Sequence, residues 1–184
     1  MLLLYRFLLT FSSTSLFIAI YLIKSHVILD LGKGLNSELI SYIGYVIVVI
    51  ILNLLSLFMI RYLEDSSLQS QNKEKNMVRE IEMANHTFLP TYLGYFFVAL
   101  SISDSDWIVF GFIYSTVFIF TFFSQTNYFN PMFILMGYQF YYVTTVNNIR
   151  IFLITKKLMK NPTTYKFNNL KRINDFTFID RGDK

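Results

Sequence analysis

Residues 39–60 read LISYIGYVIVVIILNLLSLFMI, and this stretch contains no charged side chain before Arg61 ends it. A helix rises about 1.5 Å per residue, so a helix of this length spans about 30 Å, the thickness of bilayer hydrocarbon. Backbone N–H and C=O groups in lipid must be paired within their own segment, which favours a helix despite the many Val and Ile residues. The stretch therefore predicts a transmembrane helix.

The composition of the whole chain is typical of an integral membrane protein. Of its 184 residues, 54% are hydrophobic and 15% are charged, whereas soluble domains carry about a quarter charged residues. The chain has no cysteine, which excludes a disulfide framework and any Cys-based metal or redox site.

Three further apolar stretches predict membrane helices, at residues 7–23, 87–103 and 107–123. The last two are about 17 residues long, near the lower limit for crossing a bilayer, and the short link Ser-Asp-Ser-Asp between them indicates an antiparallel hairpin. A cleaved signal peptide is the competing interpretation of residues 7–23, but this stretch has neither a basic start nor a good cleavage site.

The distribution of positive charge predicts the topology. All but two of the 16 Lys and Arg residues lie before the first span, between the second and third, or after the fourth; the exceptions are Lys24 and Lys33. Positive residues stay on the cytoplasmic side of a membrane. Both termini, the linker 61–86 and everything after residue 124 are therefore expected in the cytoplasm.

The C-terminal part changes from helical to strand patterning. Two runs rich in β-branched and aromatic residues flank Asn147-Asn148 and predict a β-hairpin, with further strands at residues 132–136 and 176–179. The linker favours a helix over residues 73–84. We predict an all-α membrane protein of four transmembrane helices, comprising residues 1–123 with their linker, followed by a small basic cytoplasmic β-rich module, residues 124–184.

Candidate functional residues fall into two groups. Polar or small side chains inside the spans favour helix packing, although the Ser12–Ser15 hydroxyls and Asn53 and Ser56 also fit a pore lining. Apolar residues of the linker and basic residues of the module favour contact with a partner or with anionic lipid head groups over nucleic acid. The packing residues are Asn53, Ser56, Gly111 and Ser115; the partner-binding residues are Met77, Val78, Ile81, Lys156, Lys157, Lys160, Lys171 and Arg172.

Catalytic and transport chemistry has little to build from. The four spans contain no Asp, Glu, Lys, Arg or His, and the only histidines, His26 and His86, are predicted on opposite sides of the membrane. Ion-coupled carriers, zinc sites and Ser-His-Asp triads need such groups. Arg79 and His86 match the Arg-x6-His spacing of HEPN-class RNases, which requires a helical bundle. The sequence therefore predicts a protein that is not an enzyme and uses no cofactor.

Two stretches resemble the KwaA family, the small membrane subunit of the bacterial Kiwa anti-phage system. They are NHTFLPTYLGYFFVALS at residues 85–101 and NPMFILMGYQFYYV at residues 130–143. The resemblance implies a homo-oligomeric, tetrameric sensor in the bacterial inner membrane, partnered with KwaB, a cytoplasmic effector that acts on phage DNA. It supplies no catalytic residue. Small four-helix membrane proteins that accompany CRISPR effectors have a similar outline.

Two functional hypotheses follow. The first is a non-enzymatic membrane sensor and scaffold that recruits or regulates a cytoplasmic effector, with Asn53 at the contact between the membrane helices and the signalling part. The alternative is an oligomeric pore that depolarises the cell on infection.

Overall fold

The computed structural model describes residues 2–29, 37–63, 65–66, 78–124, 130–160 and 170–180. Within these ranges five α-helices and six β-strands form. The helices are α1 Leu2–Lys24, α2 Ser37–Met59, α3 Phe88–Ser101, α4 Trp107–Ser124 and α5 Pro131–Leu135. The strands are β1 Asp65–Ser66, β2 Val78–Met83, β3 Gln139–Thr145, β4 Arg150–Thr155, β5 Leu170–Arg172 and β6 Thr177–Asp180.

Helix α1 is the central helix of the bundle. One side of it packs on α2 through a cluster that includes Ala19 and Val49. Its other side packs on α3 and α4, where the ring of Tyr21 stacks on Phe110 with centroids 4.0 Å apart. Because α1 is covered on two sides, many of its side chains are buried, whereas α2, α3 and α4 keep an outer face.

Contacts at the two ends of the bundle show that α1 runs antiparallel to α4. Near the start of α1, Arg6 donates to the carbonyl of Phe122 at the end of α4 (3.4 Å). At the end of α1, Lys24 donates to the carbonyl of Ile102 and lies 3.5 Å from the carboxylate of Asp104, both between α3 and α4. Asp106 caps α4 by accepting from the N–H of Val109 (3.2 Å), a usual role of Asp at a helix start.

The outer faces of the helices expose a continuous set of large apolar side chains. Examples are Ile47 on α2, Phe97 on α3 and Phe112 on α4, and such a surface is typical of contact with lipid or another apolar partner. By length and composition, two segments can cross a membrane, Leu3–Lys24 and Ser37–Tyr62, while Tyr92–Ser101 and Trp107–Phe123 are shorter apolar helices.

The strands form a six-stranded sheet of order β1-β5-β6-β4-β3-β2. The predicted hairpin of β3 and β4 is confirmed, with Gln139 opposite Thr155 and a turn in which Asn148 has a positive φ of 59°. The strand predicted at residues 176–179 is β6, which pairs in parallel with β4. Both faces of the sheet carry buried apolar side chains. One face packs with the helix ends around Phe140 and Phe152, and the other forms a separate cluster around Tyr141 and Leu153.

Two predicted elements are wrong. Residues 78–83 form strand β2 instead of a helix, because pairing with β3 outweighs the helix propensity of Glu, Met and Arg; residues 73–77 lie outside the described residues. Residues 132–136 fall in helix α5 and the turn after it, not in a strand. The linker strands β1 and β2 sit at the two edges of the sheet, so the described linker belongs to the β module in space.

Helix α5 is short and has a defined signal at each end. Asn130 precedes it and accepts from the N–H of Met132 (3.1 Å), while Pro131 occupies the first helical position. Gly137 ends it with φ +84°. The N–H groups of Gly137 and Tyr138 bond back to Ile134 and Phe133, and the rings of Phe133 and Tyr138 lie 5.7 Å apart. This is a Schellman end, which needs a left-handed residue after the helix.

We expect Gly137→Ala to lower the free energy of unfolding by about 1–2 kcal/mol, because an L side chain is strained at this φ. Gly94→Ala in α3 is the matched control, since a Cβ there meets no atom within 4 Å. Alanine favours a helix over glycine, so the control is expected to be neutral or stabilising. Thermal unfolding of the purified chains measures both; equal losses would contradict the assignment.

Candidate functional site at the helix–sheet junction

The helices and the sheet share one hydrophobic core. It joins Tyr5 and Leu9 of α1 and Ile60 at the end of α2 to Phe140 and Phe152 of the sheet. All five side chains are at most 3% exposed. We call this contact the junction. Side chains in a close-packed apolar core cannot move independently. We therefore expect a shift of α1 or α2 to displace the strands as well.

Within the junction a polar contact connects α2 to the segment that enters the sheet. The Nδ2 of Asn130 donates to Oδ1 of Asn53, and the Nδ2 of Asn53 donates to the carbonyl of Val49 (2.7 Å). The same Asn130 amide lies 3.4 Å from Oγ of Ser12 on α1. These side chains are at most 2% exposed. Asn130 therefore ties α1, α2 and α5 together.

The depth of this contact follows from the helix rise. Asn53 lies eight residues before Arg61, which places it about 12 Å inside the end of the apolar segment. Met132 of α5 packs on the α1–α2 cluster that contains Val49. The start of α5 is therefore inserted beside α2 rather than lying on the surface.

Ser56, three residues from Asn53, faces α1. The Tyr5 hydroxyl interacts with Ser56, although neither oxygen makes a hydrogen bond of ordinary geometry within the described residues. A buried hydroxyl without such a bond is costly. The Tyr5 and Ser56 hydroxyls are therefore poorly hydrogen-bonded, in contrast to the amides of Asn53 and Asn130.

Asn85 makes a second connection between a helix and the sheet. Its Oδ1 accepts from the N–H of Phe140 (2.8 Å) and its Nδ2 donates to the Gln139 side chain. The neighbouring Ala84 N–H bonds to the carbonyl of Phe140 (2.8 Å). Because α3 begins three residues later, Asn85 fixes where this helix leaves β2.

The hydroxyl run of α1 is engaged in its own helix. Ser12, Ser13, Thr14 and Ser15 are buried and bond to carbonyls three or four residues back, as predicted for packing residues. Thr14 also lies 3.2 Å from the Tyr114 hydroxyl of α4.

The pair Gly111 and Ser115 lies on α4 but makes no close approach to another helix of the described chain. A Cβ added at Gly111 meets no atom within 4 Å, and Ser115 is exposed. A packing role for this pair therefore requires a second chain and stays a prediction.

Two of the three apolar residues proposed for partner contact pack against other residues of the sheet. Val78 is buried, and Ile81 packs against the same cluster on the face turned away from the helices. Met77 lies outside the described residues. Val78 and Ile81 are therefore engaged within the chain, because pairing of β2 with β3 places them on the sheet face that carries Tyr141 and Val143.

The basic residues of the module divide between the two faces of the sheet. Side chains alternate along a strand, so Lys171, which donates to the Leu63 carbonyl (2.8 Å), faces the helices. Lys156 faces the same way, with its Nζ 4.8 Å from the centroid of the Tyr138 ring. Lys157, 3.8 Å from Asp180, and Arg172, paired with Asp175, face away. Lys160 is exposed beside Met159 of the far cluster.

Two features of other functional classes can be placed in the described residues. No group of three His, Asp or Glu residues lies close enough to hold a metal ion within the part of the chain that the structure describes. Arg79 lies on β2 and bonds to Asn148 (2.6 Å), so the Arg-x6-His spacing starts on a strand and not on a helix.

Asn130 and Asn85 are the junction residues that the sequence interpretation missed. Asn-Pro, with a Gly six residues after the Pro, is typical of the start and end of a short helix. The pattern indicates that Asn130 is the N-terminal cap. The contact of Asn130 with Asn53 has no sequence signal, because 77 residues separate the two.

A family model described as anti-phage protein KwaA matches residues 5–179 of the chain. The match covers α1 from Tyr5 onward, the other four helices, the junction, and the sheet up to Ile179. No curated protein and no solved structure matches the chain.

Coupling between Asn53 and Asn130 is testable by a double-mutant cycle. We expect Asn53→Leu alone to cost about 1–3 kcal/mol, because Asn130 then keeps a buried amide without its acceptor. Adding Asn130→Leu is expected to cost less than the sum, with a coupling of about 0.5–3 kcal/mol. Unfolding of the detergent-solubilised chain measures this.

The control cycle pairs Asn53→Leu with Ser101→Ala, an exposed residue at the opposite end of the bundle that bonds only within its helix (2.7 Å). That pair is expected to be additive. Additivity of the Asn53 and Asn130 changes would contradict the contact.

Proposed function

Because this chain belongs to the KwaA family of anti-phage proteins, we propose that it is a non-enzymatic membrane sensor and scaffold of a defence complex. In this role it lies in the bacterial inner membrane, detects a disturbance of the bilayer and recruits or regulates a cytoplasmic effector resembling KwaB. The observation that carries the proposal is the junction, where buried polar and apolar contacts connect the apolar helices to the sheet.

The exposed apolar faces support the membrane part of the proposal. Burying large side chains such as Ile51, Phe97 and Phe112 in lipid removes them from water. With α3 and α4 as short spans, four antiparallel crossings put both termini and the sheet on one side. The excess of Lys and Arg at that end makes it the cytoplasmic side.

The arrangement of the sheet supports the scaffold part. Its helix-facing side is covered by the ends of α1 and α2, so a cytoplasmic partner meets the opposite side or the edges. Lys157 and Arg172 lie on that opposite side, and Lys160 follows Met159 of the cluster there; these three are the residues proposed for an acidic effector surface. Gly111 and Ser115 are proposed for contact between copies in a homotetramer.

A conducting pore is the alternative. The hydroxyls of α1 and the amide of Asn53 would line it, but these groups are buried and engaged within the chain. Opening a polar path through them would require α1 and α2 to separate. The described chain therefore gives more support to the scaffold than to the pore.

Asn53→Leu is expected to lower protection by about tenfold or more, because loss of about 1.4 kcal/mol of coupling changes a two-state equilibrium tenfold. Efficiency of phage plating on cells that carry this chain with its effector measures the effect. Ser101→Ala is the control and is expected to keep full protection at equal expression. Full protection by Asn53→Leu, with the protein in the membrane, would contradict a signalling role for the junction.

A voltage-sensitive dye separates the scaffold from the pore. On infection, cells that express this chain without its effector are expected to keep their membrane potential. The pore would be favoured if the potential collapses in these cells while control cells keep theirs. The control cells express an unrelated membrane protein at the same level.

A further inference from the structure

The basic residues on the helix-facing side of the sheet are not part of the surface proposed for the effector. Arg61 lies in the 3-10 turn that follows α2, and Lys171 donates to the carbonyl of Leu63, two residues further on. Lys156 lies over the Tyr138 ring of the junction core. All three therefore border the core where the helices meet the sheet. We call them the junction cations.

The surroundings of Arg61 are those of a bilayer interface. Its guanidinium lies 5.1 Å from the centroid of the Phe58 ring, and the Phe58 ring lies 6.4 Å from that of Tyr62. Both rings are more than half exposed. Aromatic side chains beside Arg and Lys are typical of the head-group level, since the ring body enters the apolar layer while the charge stays at its edge.

Other charges on this side of the sheet do not add to the junction cations. Arg150 stands over the Tyr142 ring, 4.2 Å from its centroid, but its guanidinium is 2.5 Å from the carboxylate of Glu82. The ion pair leaves that part of the sheet without net charge. The junction cations are the basic residues of this side that border α2 and Tyr138.

We infer that Arg61, Lys156 and Lys171 bind the phosphate of an anionic phospholipid whose tails lie against Phe58. This inference rests on the proposed membrane location. A ligand that satisfies both parts of the surface needs a phosphate for the cations and an apolar part for the exposed rings. Nucleic acid has no such tails. Because the phosphate sits between α2 and the sheet, the membrane's anionic lipid becomes part of the junction.

The inference assigns different partners to the two sets of basic residues. The junction cations bind lipid, whereas Lys157, Lys160 and Arg172 remain for a protein. Each set contains three positive charges, so removal of either set changes the net charge of the chain equally. Any effect of net charge alone is therefore the same for both.

The test is thermal unfolding of the full chain in a neutral detergent with added phosphatidylglycerol or phosphatidylcholine. Phosphatidylglycerol is expected to raise the Tm and phosphatidylcholine is not, because a ligand that binds only the folded state stabilises it. For the variant R61Q/K156Q/K171Q the apparent affinity is expected to fall about a hundredfold. The control K157Q/K160Q/R172Q is expected to keep the Tm shift, each variant being compared with itself without lipid.

Lys171 also bonds to the Leu63 carbonyl, so the double variant R61Q/K156Q serves if the triple variant does not fold. It is expected to bind about tenfold or more weakly. Equal loss of the shift in the control variant, an equal shift with phosphatidylcholine, or an equal shift with inorganic phosphate alone would overturn the inference.

Carbonate extraction of cell membranes distinguishes the two proposals. A chain that stays in the membrane pellet but shows no response to phosphatidylglycerol overturns the lipid site and leaves the membrane sensor standing. A chain that is released by carbonate overturns the membrane location on which both depend.

Discussion

A side-chain amide in an apolar layer must find its hydrogen bonds inside the protein, and the structure depends on how Asn53 meets this requirement. Its neighbours on α2 are almost all aliphatic, so the helix itself offers only the carbonyl of Val49. The remaining acceptor is satisfied by Asn130, which brings the start of α5 beside α2. Once α5 is held there, β3 must begin under the ends of α1 and α2, and the shared core follows.

This arrangement explains why each face of the small sheet carries a cluster of buried side chains. The ends of α1 and α2 cover one side, and the chain after β4, through Met159, reaches the cluster on the other. The linker supplies both edge strands, so the sheet cannot be completed by the C-terminal residues alone.

The helix–sheet contact also contains both well-satisfied and poorly satisfied groups. Asn130 uses its donor and its acceptor, whereas Tyr5 and Ser56 meet without an ordinary hydrogen bond in the described residues. Separation of the Tyr5 and Ser56 hydroxyls breaks no ordinary hydrogen bond, so a rearrangement at this pair costs little hydrogen-bond free energy. The contact between the helices and the sheet is thus fixed at Asn53 and rearranges most easily at Tyr5 and Ser56, one turn away. The proposed lipid phosphate lies beyond Ser56, at the end of α2.

The sequence by itself determined the four apolar helices, the β3–β4 hairpin, the strand β6 and the packing of the α1 hydroxyls, because each depends on local patterns of polarity and turn residues. It misassigned β2, whose propensity favours a helix, and α5, whose Asn, Pro and Gly signals were overlooked. Only the tertiary structure decided that Asn53 meets Asn130 and that the lysines divide between two faces. Those facts depend on strand register and on contacts between distant parts of the chain, which no local pattern specifies.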